Sequence, residues 1–496
     1  MSRTGDEYLE SLRDGRRVYV NGERVEDVTE HPAFAEAARS IATLYDIAAS
    51  PEHRDVMTFR SPATGEPVNK AFLMPRTRED LAARRQAMIC WAEATYGIMG
   101  RSPDHVASIL TGLALRPDIY QRGGPEFAER LVAYYEYVRD RDLYVSNIMH
   151  PPQIDRSKPG HQQEDPTLHA GVVEAGPDGI VVSGAQILGT GSILSNEVML
   201  TNIVPLAPGD DNYALSVALP LAAPGLRVIA RRPYADRATS VYDYPLTTRF
   251  DETDALIVFD RVFVPWDRVF AYKNRAVTAA QFIESPALVL AHQQGHARFW
   301  VKARFLVGLA SRLAEACGAD KKAETQSKLG ELASYAALAH AAMLGAEANH
   351  ATDPRGFVYP DPTQTFANTW LHASYYGTML ETLREIGGAS LLQTASSHLD
   401  YYNPEIAPDL HRYVKSPRLD SVERTKLFNL AWDMVGSEFA GRHQLYELFY
   451  AGSRQGTCAM RTFRNFDWEG ARALVDRCLG SYHLPPADVE SLLLAR

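Results

Sequence analysis

The chain has 496 residues, 46% of them hydrophobic, and a net charge of −10. That length buries a large core and suits two to four domains or one layered fold, while the acidic balance excludes a general phosphate-binding face, which must be basic. Four scattered cysteines without a CxxC pair favour a reducing, cytoplasmic setting, and neither a secretory apolar segment nor a run of about 18 apolar residues is present.

Taken from the N-terminus, Thr4-Gly-Asp-Glu7 reads as a capping box opening a short helix through Tyr8, Leu9 and Leu12. The stretch RRVYVNGERVEDV alternates around Asn21-Gly22, which predicts a hairpin. From His31 to about Tyr137 the pattern is helical. Within it Leu81, Met88, Trp91 and Ala92 predict one helix over 78–97, ended by Gly97 and Gly100, since glycine takes the left-handed cap conformation easily. Pro103 forbids simple continuation. Between 144 and 271 short runs rich in valine and isoleucine, such as GIVVSGAQIL and EVMLTNIVPL, suit a barrel or sandwich.

After about residue 285 helical stripes return: Phe299, Ala303, Leu306, Ala310 and Leu313; Leu329, Leu332, Ala336, Ala339 and Met343; Phe428, Ala431, Val435 and Phe439. Such stripes are core rather than cofactor contacts. Helices near 320–350, 364–386 and 418–450 are long enough for a bundle, and 359–365 and 400–410 read as loops. The expected class is α+β, with a mainly helical unit over 1–143, a central β-barrel over 144–271 and a helical bundle over 272–496. This order is not the alternation of a nucleotide-binding sheet.

A scan for chemistry excludes more than it finds. GTGSIL at 189–194 lacks the third glycine and the helix that a dinucleotide fingerprint needs. There is no P-loop, HExxH or GxSxG motif. His292 and His296 are the one pair at helical ligand spacing, without a flanking carboxylate, so they read as polar helix-face residues and no metal is expected.

Several long strings carry more weight: TGDEYLESLRDGRRVYVNGERVEDVTEHPAF, YGIMGRSPD, PPQIDRS, YDYPLTTRFDETDALIVFDRVFVPWDRVF and KLFNLAWDMVGSEFAGRHQLYELFYAGS. Together, in order along the chain, they resemble the 4-hydroxyphenylacetate 3-monooxygenase large-component family. The resemblance implies an acyl-CoA-dehydrogenase-like architecture with a C-terminal four-helix bundle, a homotetramer, and FAD used as FADH2 supplied by a separate NAD(P)H-dependent reductase. It implies hydroxylation of an aromatic, phenolic substrate, free or carrier-bound, with molecular oxygen as co-substrate, through a flavin C4a-hydroperoxide. Such a site should hold the phenol as phenolate and exclude water.

The family's substrate-facing arginine corresponds to Arg101, its tyrosine four residues on to His105, and its histidine before the P-Q stretch to Asn147. One of three expected groups is therefore intact. Arginine is always charged and rich in donors; His105 titrates near neutrality when unperturbed, and Asn147 does not titrate. Read alone, Arg101 is a helix-end residue near the negative pole of a dipole. His150 is a candidate stand-in for the lost histidine only if the strand shifts. For the flavin, the resemblance carries over Gln153, Ile154, Asp155 and Arg156 on a strand after the loop, then Thr190, Gly452 and Ser453. The Gly-Gly of REIGGASLL approaches a flavin or caps a helix, and Arg442 and His443 face the flavin or a subunit interface. The departures at 105 and 147 leave a desaturase or oxidase acting on a non-phenolic substrate, or a flavin-binding protein without hydroxylase activity, as alternatives.

Overall fold

The computed structural model describes residues 3–238 and 240–483. The capping box forms: Thr4 Oγ1 accepts from the Glu7 N–H at 3.2 Å, and the Glu7 carboxylate accepts from the Thr4 N–H at 2.9 Å. The helix Gly5–Ser11 it starts sends the buried Tyr8 hydroxyl to the Leu194 carbonyl, 2.8 Å away. The hairpin forms as well. Strands β1 (Val18–Val20) and β2 (Glu23–Val25) turn on Asn21 and Gly22, both with positive φ, the geometry that fits the twist of two antiparallel strands.

The stretch read as helical from His31 to about Tyr137 also holds two short strands. Helices Ala35–Ala49, Arg78–Ala94, Pro103–Ala114 and Pro125–Arg141 form, and a small hairpin of β3 (Thr58–Arg60) and β4 (Pro67–Asn69) lies between the first two. Pro62, Gly65 and Pro67 punctuate this segment, and strands of three residues are too short to show a period.

The middle of the chain supplies β5 (Val145–Ile148), β6 (Gly171–Ala175), β7 (Gly179–Gln186), β8 (Glu197–Leu200), β9 (Leu215–Pro220), β10 (Leu226–Ala230), β11 (Ala255–Pro265) and β12 (Val269–Tyr272). They build a six-stranded sheet in the order β2-β1-β10-β11-β7-β6 and a four-stranded sheet β12-β9-β8-β5. The inward residues of both, such as Ile257, Val262, Val217 and Leu200, share one apolar core. The expected barrel does not close among the described residues. A single bridge, His150 to Ile187, joins one corner; the other sheet ends, the short strands β2 and β12, share no ladder. Alternating valines report which face is buried and carry no information about closure.

The bundle follows. Ala287–Ala316, Ala323–Ala348 and Pro362–Gly387 pack together, and the fourth column is two helices, Ser421–Val435 and Glu438–Phe449, instead of one over 418–450. The break falls at Gly436; Ser437 caps the second piece by accepting from the Ala440 N–H at 3.0 Å. The expected loop over 359–365 contains the start of the Pro362–Gly387 helix, capped by Asp361, and that over 400–410 runs into a short helix, Ala407–Tyr413. Helix 287–316 also packs on helices 78–94 and 103–114. It therefore stands between the N-terminal helices and the bundle, against helix 103–114, which itself packs on β5.

Candidate active site

Helix 78–94 stops earlier than expected. Tyr96 and Gly97 both take positive φ, and the Gly97 N–H closes the turn on the Ala92 carbonyl at 2.7 Å. A Cβ on Gly97 would sit 2.5 Å from the backbone of Arg298 and Lys302, so the chain passes here only without a side chain. Gly100 does not end the helix. It lets Tyr446 approach: a Cβ there would lie 2.0 Å from the tyrosine hydroxyl. Pro103 opens the next helix, at the position where a missing N–H costs nothing.

Between these glycines the backbone is clamped. The N–H groups of Gly100 and Arg101 donate to the two oxygens of buried Glu252 at 2.8 and 2.5 Å, and the Tyr144 hydroxyl donates to the Arg101 carbonyl at 2.6 Å. Burial pushes the Glu252 carboxyl up, against Arg442 and those two N–H groups. With its backbone held on both sides, Arg101 projects its side chain. Nη1 donates to His105 Nε2 at 2.9 Å, Nη2 reaches toward the Tyr450 carbonyl at 3.5 Å, and the guanidinium lies 5.2 and 5.0 Å from the Tyr446 and Tyr450 ring centres. Burial lowers its pKa, but Tyr446, Tyr450 and Glu252 outweigh this and hold it above the usual arginine value.

His105 is buried, and burial, with Arg101 and His292 adding, holds its imidazole well below its ordinary range. Its Nδ1 has no partner. Asn147, on β5, accepts from Thr201 Oγ1 at 2.9 Å through Oδ1, while its buried Nδ2 is unpartnered. A small cavity of about 20 Å³ is walled by Arg101, His105, Asn147 and Thr190, with Tyr144 and Met149 beside them. Four of the expected site residues therefore meet in one place. Thr190 donates to Asp254 Oδ1 at 2.5 Å, and Arg442 holds that carboxylate from 3.0 Å. His150 does not line the cavity; its backbone makes the bridge to Ile187.

The other expected cofactor residues lie elsewhere. Gln153, Ile154, Asp155 and Arg156 sit in an irregular turn, not on a strand; Pro151 and Pro152 remove the donors a ladder needs. Asp155 is spent on Ser157 and on Lys158 at 3.2 Å, whereas Gln153 and Arg156 are exposed, with no hydrogen bond or ion pair of their side chains among the described residues. Gly452, with φ of +89°, and Ser453, which caps the following turn by accepting from the Gly456 N–H, come two and three residues after Tyr450 and do not line the cavity. Gly388 takes positive φ where helix 362–387 ends.

Arg442 and His443 face neither solvent nor a free surface. Arg442 bonds Asp254 and lies 3.8 Å from Glu252; His443 is 3.3 Å from Lys302 Nζ. His292 and His296 are buried as well, correcting the expectation of polar helix-face residues, and their rings lie in an aromatic cluster with His372, Phe366 and Tyr450. No cluster suited to a metal ion occurs among the described residues.

Sequence reasoning missed the ion network behind Arg101. Arg298 grips Glu447 with bonds of 2.6 and 2.9 Å, and Lys302 adds a third at 2.8 Å. Burial raises the Glu447 carboxyl, but the two cations pull it down to about 2. Arg442, Tyr446 and Tyr450 follow one another at i, i+4 along the chain, a spacing legible in RHQLYELFY.

Two family models match, described as 4-hydroxyphenylacetate 3-hydroxylase N terminal, over residues 4–271, and C terminal, over 278–480. A relative from Geobacillus sp., the 4-hydroxyphenylacetate 3-monooxygenase oxygenase component, is 36% identical over 454 residues, 91% of each chain. A Streptomyces globisporus monooxygenase named for a carrier-bound (3S)-3-amino-3-(3-chloro-4-hydroxyphenyl)propanoyl group is 37% identical over 461 residues, 92% of this chain and 86% of that one. The crystal structure of an oxygenase component complexed with FAD and 4-hydroxyphenylacetate superposes with a TM-score of 0.90, at 34% identity and full coverage of both chains.

Proposed function

Because the chain belongs to the 4-hydroxyphenylacetate 3-hydroxylase family, we propose that the Arg101 cavity is where an aromatic substrate meets a reduced flavin. The protein is the oxygenase of a flavin-dependent aromatic hydroxylase, an oxidoreductase that uses FAD and molecular oxygen. The convergence of Arg101, His105 and Asn147 on one cavity supports the site assignment.

Whether these residues suit a flavin is answered by what they leave unspent. Asn147 Nδ2 is a buried donor without a partner, Gln153 and Arg156 have their side-chain donors free, and Leu188, more than half exposed, lines the cavity's outer side. Such a set fits a large ring with a polar, phosphate-bearing tail. Thr190, Gln153, Ile154 and Arg156 would hold FAD, Asp155 fixing their turn, with Gly452 and Ser453 closing from the bundle side. Bound reduced FAD supplies the activation of oxygen. Arg101 binds and orients the phenolic oxygen, and Val106 and Ile109 keep the cavity wall dry.

A separate reductase component supplies the reduced flavin, as the name of the relative's oxygenase component suggests. We read the working form as a homotetramer; Leu445, Phe449, Phe463, Leu474, Val475 and Leu479, large apolar side chains left exposed, are the groups that association would cover. The three units expected from the sequence remain our division, with β1 and β2 lent to the central sheet. No described helix is long and apolar enough to cross a membrane, and four free thiols support a reducing, cytoplasmic location.

The test is isotopic. Purified protein is given chemically reduced FAD, a phenol and ¹⁸O₂, and the product is weighed. One ¹⁸O in the ring-hydroxylated product is expected. Peroxide formation with no labelled product, across a panel of phenols, would overturn the assignment.

A further inference from the structure

We propose that this cavity takes its substrate as a phenolate already formed in solution, and so is built for acidic, electron-poor phenols bearing nitro or halogen groups. This rests on the hydroxylase reading and narrows it. The cavity offers no base. The cavity walls hold no carboxylate, thiol or lysine. His105 is their one imidazole, and its Nε2 lone pair accepts from Arg101. A guanidinium donates only, so in the neutral ring the proton sits on Nδ1. A second proton would have to displace the Arg101 bond and place an imidazolium against a guanidinium.

The surrounding groups do not change this. Tyr144 spends its hydroxyl on the Arg101 carbonyl. Tyr446 and Tyr450, from helix 438–449 and just beyond it, are held protonated, chiefly by burial. His292 on helix 287–316 is held neutral by burial, down to about 3. Asp104 is raised by burial to about 6, but it accepts from Ser102 Oγ at 2.6 Å and Gln294 Nε2 at 3.2 Å and does not line the cavity.

The cavity also presents a charge that no carboxylate answers directly. Three guanidinium groups crowd this seam. Arg298 has Glu447, and Arg442 has Asp254 and Glu252. Glu252 also takes the two backbone N–H groups. Arg101 alone of the three has no carboxylate on its guanidinium among the described residues; its partners there are a neutral imidazole, a carbonyl and two ring faces. A half-buried cation with no carboxylate bonded to its guanidinium, beside an unpartnered amide donor, Asn147 Nδ2, is complementary to a small anion. A cavity that binds an oxyanion yet has no group to remove its proton selects phenols that ionise unaided.

The test reads ionisation directly. 4-Nitrophenol is titrated into the FAD-loaded enzyme at about one pH unit below its solution pKa, and the bound ligand is followed by difference spectroscopy. The bound probe is expected in its coloured phenolate form, with its pKa lowered by about one unit or more, a tenfold preference for the anion. Arg101→Gln should abolish that shift. Asn147→His, which adds a titratable group, should narrow the kcat/KM advantage of nitrophenol over unsubstituted phenol by roughly tenfold. A probe bound in its neutral form, or excluded while an ordinary phenol binds, overturns the proposal from the wild-type measurement alone. Phenolate binding with no labelled product from any phenol overturns the hydroxylase reading and leaves this inference standing; labelled product with a neutral bound probe does the reverse.

Discussion

At Arg101 the chain has arranged a cation whose backbone is fixed before its side chain does anything. Glu252 binds two successive N–H groups and Tyr144 the following carbonyl, so the guanidinium loses little freedom when it meets a ligand. Removing it should leave the fold in place and spoil the chemistry. For Arg101→Ala we expect product formed per flavin oxidised to fall by roughly two orders of magnitude, the usual loss with one charge-stabilising donor; a stopped-flow and product-yield comparison at equal flavin occupancy checks it, and unchanged coupling would take Arg101 out of the mechanism. The residue was legible in GRSPD because proline and glycine spell out a turn. Glu252 was not. It stands in FDETDA among two other acids, and its partners lie about 150 positions away.

At the scale of elements, local signals read well. The Thr4 capping box, the Asn21-Gly22 hairpin and the apolar stripes of helices 287–316 and 323–348 all rest on neighbours within a few residues, and all appear. The β3–β4 hairpin and the break at Gly436 were hidden: strands of three residues have no period, and the stripe of Phe428, Ala431, Val435 and Phe439 continues straight across the glycine. Helix 438–449 carries a buried anion that nothing in its sequence marked. Glu447 is the shared carboxylate partner of Arg298 and Lys302. Glu447→Gln leaves that pair of cations in the core with a neutral acceptor, and we expect it to destabilise the protein by roughly 3–5 kcal/mol. Chemical denaturation should show the midpoint fall with little change in slope.

For the molecule as a whole, burial sets the pH response. His105, His292, His296, His372 and His443 are all held neutral, in each case first by burial. A base whose pKa is depressed in the folded state stabilises above its unfolded value, near 6.5, and loses that contribution as pH falls toward the folded value. Stability should therefore decline from about pH 6.5 downward, each histidine adding up to about 1.4 kcal/mol per pH unit. Thermal melts between pH 8 and pH 5 will show this as a falling Tm; a flat profile would mean that these rings find water or partners in the folded state. None of it was evident beforehand, because scattered histidines look alike until packing decides which are dry.

One element bears on how the gene can be cut. The two family models part between residues 271 and 278, yet helix 287–316 rests on 78–94 and 103–114 as firmly as on its own bundle. The boundary between the two matched regions is thus not a boundary in the packing. Either half synthesised alone carries a raw apolar flank where its counterpart should be, and the two gain a working body only by being made together.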